Sequence, residues 1–434
     1  MLLGIGDLEK LLLRDGTLAH NPAFAQATAQ LPADAYSGLI YLDLPALALA
    51  GDNPPSDVEA AKALGSMLIG LTTLDERTLV MDVVSGNTAA LADLGFTVPE
   101  FAPINPAFLA NLPANTSMVV QTSNLKSLYT MLVDAAHVAA TQATDGSSPE
   151  DVDKTLEQMK FAVQSVLGLD LEADILDWMT GDFAAFVTVD NDAIQRALQQ
   201  GMEGQPVAFE TLPFGFGLVI EATDAAKAQT LATALGEKLP KLAQDSPEVT
   251  ISQEEIGGVA VTVLSSPLDV FSDTKVPLDV VIGANEAVFV IATRDAATAI
   301  FTDAPSGGLT NVPIFIEAQN YLLDSPTSLW YMDSAGFSSV TTVVGLALFG
   351  PIVGQVFDSI VADLESGAVS TLTPEEQKQR DEERQRQMQE QMQAQMQQAQ
   401  GMIAFLNTLL SSATISTTNV EGGALSRFVL TLAK

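Results

Sequence analysis

The side chains able to do chemistry are few in kind and weighted towards carboxylates. The 434-residue chain has two histidines, no cysteine, and 54 Asp and Glu against 19 Lys and Arg. Without a thiol there is no cysteine nucleophile and no Cys-held zinc. His20 precedes Asn21-Pro22 and reads as part of a surface turn, and His137 lies in a helical run of Ala and Val. Neither has a neighbour in the sequence that suggests a Ser–His–Asp triad or a metal site.

Carboxylates cluster at Glu150, Asp151 and Asp153, and again at Glu172, Asp174 and Asp177. Such groups could supply the acid and base of a hydrolase, but only geometry selects a working pair. Asp190-Asn191-Asp192 is a short acidic turn whose oxygens suit Ca²⁺, so Asp190 and Asp192 are the candidate metal ligands. The turn lacks the Gly and Glu that complete an EF-hand loop, and a solvated turn is the plainer reading. No cofactor other than Ca²⁺ is indicated. Gly4-Ile-Gly6 and Gly215-Phe-Gly217 lack the third glycine of a dinucleotide loop, and there is no Gly-x-Ser-x-Gly or His-Glu-x-x-His. Trp178 and Trp330 are candidate contact residues, yet both lie in apolar runs and read as core.

The formal charge of −35 repels nucleic acid and anionic lipid, and no Lys/Arg cluster offsets it. The acidity serves solubility first; divalent cations or a cationic partner are the functional readings. With 47% apolar residues the chain can bury substantial cores, and its length suggests several units.

The elements that must position these groups recur along the chain. Leu31-Pro-Ala-Asp-Ala, Leu112-Pro-Ala-Asn-Thr and Ser325-Pro-Thr-Ser each launch a short β run ending at a helix-capping residue, Asp43, Asn124 or Asp333. Gly257-Gly258 and Gly422-Gly423 each join two alternating runs into a hairpin, because paired glycines supply positive φ. That alternation puts Val259, Val261 and Val263 on one face, as it does Leu425 and Val429. A third hairpin is predicted over Val280–Ile291. Between them lie helices over Asp151–Leu167 and, capped by Asp224 and stopped by Pro240, over Ala225–Leu239. The predicted class is α+β: repeated β-α-β-β units forming antiparallel or mixed sheets with helices on one face. Four units are predicted: 1–110, 111–210, 211–323 and 324–434, the last with a long Gln/Met-rich helix over 374–410. Met388, Met392 and Met396 form its narrow apolar stripe, which would dock the helix or bind a partner.

Val340–Val361 is apolar but broken by Pro351 and Gly354, which suits a buried helix pair better than a membrane span. The N-terminal stretch has no basic segment and is interrupted by Asp7 and Glu9, unlike a signal peptide.

Three stretches together resemble one bacterial family, domain of unknown function 3352. They are Leu31-Pro-Ala-Asp, Leu167-Gly-Leu-Asp-Leu-Glu-Ala-Asp-Ile-Leu-Asp-Trp-Met-Thr-Gly-Asp-Phe-Ala, and Leu218-Val-Ile-Glu-Ala-Thr-Asp-Ala-Ala-Lys-Ala. The most specific part runs from Gly168 to Phe186. The resemblance implies an exported or membrane-anchored envelope protein with an N-terminal transmembrane segment that this chain, opening in mid-pattern, lacks. It implies no reaction and no catalytic residues. The expectation is a non-enzymatic cell-envelope or extracellular binding or structural protein, self-assembling or joined to a protein partner. The alternatives are a carrier of an apolar small molecule between sheet and helices, and a hydrolase with converging carboxylates.

Overall fold

A computed structural model describes residues 18, 21–32, 36–50, 65–86, 101–142, 148–202, 213–242, 248–271, 274–302, 307–334, 336 and 409–433. Its thirteen strands form one sheet. They are β1 (Gly38–Asp43), β2 (Ser66–Thr73), β3 (Thr78–Gly86), β4 (Thr116–Ser123), β5 (Asp182–Val189), β6 (Phe214–Glu221) and β7 (Thr250–Ile256), then β8 (Val259–Phe271), β9 (Thr274–Ala284), β10 (Val288–Thr293), β11 (Ser328–Asp333), β12 (Leu410–Val420) and β13 (Gly423–Leu432). Their spatial order is β1-β2-β3-β13-β12-β11-β4-β5-β6-β10-β9-β8-β7. Every described pairing is antiparallel. The class is therefore α+β.

Turn chemistry explains the hairpins. Gly257 and Gly258 both hold positive φ (61° and 81°) between β7 and β8, and Gly422 (77°) does so between β12 and β13. The Asn285 side chain accepts from the Ala287 and Val288 amides to turn β9 into β10. Asp43, Asn124 and Asp333 each accept a backbone N–H three residues on.

The described helices are α1 (Pro22–Ala29), α2 (Leu44–Ala50), α3 (Leu125–Gln142), α4 (Pro149–Leu167), α5 (Asn191–Met202), α6 (Ala225–Leu242), α7 (Arg294–Thr302) and α8 (Pro313–Gln319). Helix α6 runs through Pro240 for one more turn residue pair before ending. No described helix is long and apolar enough to cross a membrane.

The expectation of helices on one face needs correction at the sheet centre. Val219 and Val290 point into a core with Ala297 and Ile300 of α7. Their neighbours Ile220 and Phe289 point the other way, into a core with Ala228 and Leu231 of α6. Helices thus cover both faces there, because β10 (VFVIAT) is apolar at almost every position and a strand of that kind must be buried on both sides.

Towards β1 the two faces differ. On the first face, α1 packs Ala27 against Leu68, Val84 and Leu425, and α8 sets Phe315 edge-on to Tyr331 at 4.8 Å. The cross-strand row there is Gly70, Asp82, Arg427, Ser416, Leu329 and Gln121. Asp82 is fully buried and accepts two hydrogen bonds from Arg427, at 2.8 and 3.0 Å. Tyr36 donates a third at 2.7 Å. Its ring lies over Gly70, where an added Cβ would come within 2.6 Å of the ring. The second face carries Leu71, Met81, Phe428, Ile415, Trp330 and Val120 in one cross-strand row.

Removing one member of a buried ion pair strands the other charge, whereas removing both does not. Arg427→Leu is expected to destabilise the protein by about 3–5 kcal/mol. The double variant Asp82→Leu/Arg427→Leu is expected to recover most of that loss in urea unfolding.

Candidate functional site

The segment singled out in the sequence, Gly168 to Phe186, delivers a carboxylate into the sheet. Helix α4 ends at Gly168 in left-handed conformation. Asp170 then caps a single π-type turn, Leu171–Ile175, by accepting from the Glu172 and Ala173 amides. Trp178 is buried; its indole N–H donates to the Asp174 carbonyl at 3.1 Å and its ring meets Phe289 edge-on at 6.0 Å. The Thr223 hydroxyl donates to the Trp178 carbonyl. Gly181 follows, with no room for a side chain: an added Cβ would fall 2.4 Å from the Glu221 carboxylate.

Asp182, the first residue of β5, is 4% exposed. Its Oδ2 accepts from the Asn105 amide at 2.7 Å and from Gln121 Nε2 at 2.9 Å. Its own amide donates to Glu221 Oε2 at 2.9 Å. Burial pushes the Asp182 carboxyl up; the two accepted hydrogen bonds oppose that, and the neighbouring Glu221 charge adds to it. Gln121 Nε2 also reaches the Asn105 carbonyl at 3.0 Å, while its Oε1 has no protein partner.

Two adjacent carboxylates, one held up in pKa, meet the electrostatic requirement for an acid–base pair. The geometry does not meet the spatial one. Asp182 lies in neither cleft described below, and its acceptor oxygen is taken up in fastening residues 105–111 to β4 and β5. Asp333 behaves alike at the other end of these strands. Burial pushes its carboxyl up, and the Gly336 amide and Ser117 hydroxyl hold it. Beside it the fully buried Tyr331 hydroxyl has no protein partner, and burial raises its pKa too.

The acid clusters prominent in the sequence are dispersed. Asp151 completes a capping box with Ser148, Asp177 pairs with Lys126 at 2.6 Å, and Glu172 with Lys160 at 2.9 Å. His137 bridges α3 to α4 through Asp153 at 2.9 Å.

Asp190 and Asp192 do line a cleft of about 490 Å³, together with Asp279, Arg294 and Asp295. Within it Asp190 Oδ1 accepts from the Ala193 amide, as the cap of α5. Arg294 is shared between Asp279 and Glu254. Thr188 and Thr293 hydroxyls close over Gly215, where an added Cβ would approach each within 2.6 Å. Among the described residues no three His, Asp or Glu side chains gather as a metal-holding group. A second cleft of similar size lies between α1 and the β1–β3 strands; its lining is mixed, with Asn21, Gln26, Gln30, Asp43 and Glu421 beside Ala27, Tyr41, Pro45 and Val84. Met388, Met392 and Met396 lie outside the described residues.

Sequence reading missed Asp82, Asp182 and Gln121. Their signal was a polar residue at an inward position of an apolar strand, as in Val80-Met81-Asp82-Val83 and Val119-Val120-Gln121.

Because folding raises the Asp182 pKa, the folded state holds that proton more tightly than the unfolded chain. Its contribution to stability therefore falls as pH rises from about 4, the ordinary Asp value, through the raised one. Asp182→Asn is expected to match or exceed the parent in urea at neutral pH and to lose that advantage below about pH 4. Asp182→Ala, which leaves the Asn105 amide and Gln121 unpaired, is expected to cost about 1–3 kcal/mol. Asp190→Ala removes a helix cap and is expected to cost about 0.5–2 kcal/mol, equally with and without Ca²⁺. A loss seen only with Ca²⁺ present would instead make Asp190 a ligand.

The sequence pattern of the family described as Protein of unknown function (DUF3352) matches residues 11–360. No curated protein and no solved structure matches the chain. The matched span contains the whole Gly168–Phe186 segment with its buried Trp178, side-chain-free Gly181 and anchored Asp182. The chain belongs to the DUF3352 family of proteins of unknown function.

Proposed function

We propose that this protein is a non-enzymatic binding or structural protein of the cell envelope or extracellular side, and that the second face of its sheet is the working surface. The observation carrying this reading is the make-up of that face from β1 to β4. A sheet face turned to water alternates polar residues with the buried ones opposite. Here Leu79, Val120, Leu430 and Leu432 are 38–43% exposed, and the cross-strand row between them is Leu71, Met81, Phe428, Ile415 and Trp330. An apolar face of this kind, with exposed side chains at its edges and a half-buried row between them, marks a surface that meets something else. Among the described residues the two carboxylates with raised pKa, Asp182 and Asp333, are tied into the fold and lie outside both clefts, which weakens the support for a hydrolase. Both clefts are open and neither is an enclosed apolar cavity, which suits an apolar carrier poorly. The envelope assignment rests on the family resemblance.

The test is fractionation of cells producing the full-length protein, as the parent and as Val120→Arg. The parent is expected with the envelope or the medium. The variant, folded by circular dichroism, is expected to lose at least tenfold of its association with envelope components. Recovery of the parent in the cytosol, or equal association of parent and variant, would overturn the reading.

A further inference from the structure

We propose that the second face of the sheet, between β1 and β4, is where a second copy of this chain docks, face to face, as a two-fold dimer. This deepens the proposed function and rests on its reading of that face.

Three observations select a second copy. The first is charge. The chain carries −35, so two copies repel wherever carboxylates meet. Following the pairing from β1 to β4, no residue whose side chain points to the second face is Asp, Glu, Lys or Arg. Through this face two such acidic molecules can approach without opposing charges. The charged pair in this half of the sheet, Asp82 and Arg427, is turned to the first face and neutralised there.

The second is area. Seven strands of 6–11 residues contribute. At strand spacings of ~4.8 Å and ~3.4 Å per residue they span roughly 900 Å². A standard stable interface buries about 800 Å² per partner. The whole face, and not a corner of it, is thus what a dimer needs.

The third is coverage. The described helices that pack on this half of the sheet in named core contacts, α1 and α8, lie on the first face. A sheet with apolar side chains on both faces is completed by a second sheet packed about 10 Å away, which is the arrangement of a β-sandwich. Two copies related by a two-fold axis supply one face each, and the same residues meet from both sides. Met81, Phe428 and Ile415 then occupy the middle of the interface, where aromatic and aliphatic anchors contribute most, with Trp330 and Val120 towards its β4 side.

Light scattering during size exclusion, on the full chain over a range of concentration and salt, tests this. The parent is expected at twice the chain mass. Val120→Arg and Leu430→Asp, which place a charge on the face, are expected to raise the dissociation constant at least 100-fold while circular dichroism stays unchanged. Leu79→Ser and Val120→Ser serve where the charged variants fail to fold, with a tenfold weakening expected. Phe161→Asp, at an exposed position on α4, is expected to leave the dimer intact. Added salt is expected to tighten association by screening the two acidic chains.

A parent that is monomeric at every concentration overturns the proposal. So does a dimer indifferent to all the face variants. So does a monomer whose face variants lose thermal stability, since residues of the same chain then cover the face, or one that binds phospholipid vesicles through it. Any of these leaves the fractionation result to judge the broader reading independently.

Discussion

The sheet holds together across one seam, where β13 lies against β3. Strands β1–β3 form one end of the sheet and β4–β10 the other. The chain passes between these ends without pairing them directly; β11, β12 and β13 fill the gap. At the seam nine residue pairs meet, from Gly423 opposite Gly86 to Thr431 opposite Thr78. In its middle Arg427 grips the fully buried Asp82 with two nitrogens while Tyr36 closes over Gly70 to reach the same carboxylate. Two uncharged residues of similar volume would fill the space as well. A charged pair differs in tolerating only one register, since a slip of β13 by one residue would turn Arg427 to the face opposite Asp82 and leave both charges unpaired.

The same logic runs through the other buried carboxylates. Asp182 fixes where the 105–111 segment meets β4 and β5, and Asp333 fixes how the chain leaves β11. Each accepts backbone N–H groups that would otherwise be orphaned, so each acts as a position marker within an antiparallel sheet whose ladder hydrogen bonds would accept several alignments. Other described acids serve as helix caps or surface pairs worth little each, as Asp151, Asp177 and Asp190 do, while Glu254 and Asp279, on the strands that flank β8, share Arg294. Among the described residues charge therefore has two separate roles: a few buried groups set alignment, and others cap helices or pair at the surface.

Local chemistry was legible in the sequence, and distant pairing was not. Gly257-Gly258, Gly422-Gly423 and the caps at Asp43, Asn124 and Asp224 are all readable because each turn or cap is decided within four residues. The α+β class followed from them. Helices on both faces do not follow from the hairpin pattern, because alternation and turn residues mark β10 as half of a hairpin without showing that its near-continuous apolar run is buried on both sides. The order of strands was invisible, since nothing near Asp82 names Arg427. Asp182 lies inside the Gly168–Phe186 segment, yet among so many acids its type carries no signal; its place, at the head of an apolar strand after a glycine, sets it apart. Trp178 proved to be core, as its surroundings implied, whereas Trp330 sits half-buried on the apolar face.

The seam also has a consequence in time. Asp82 and Arg427 are separated by 345 positions, so a ribosome working at 5–20 residues per second makes them roughly 20–70 s apart. For that interval β3 exists without the strand that will flank it, and a bare β-edge beside apolar residues readily pairs with the wrong partner. A nascent chain of this protein therefore carries that edge unpaired until the residues around Arg427 have been added.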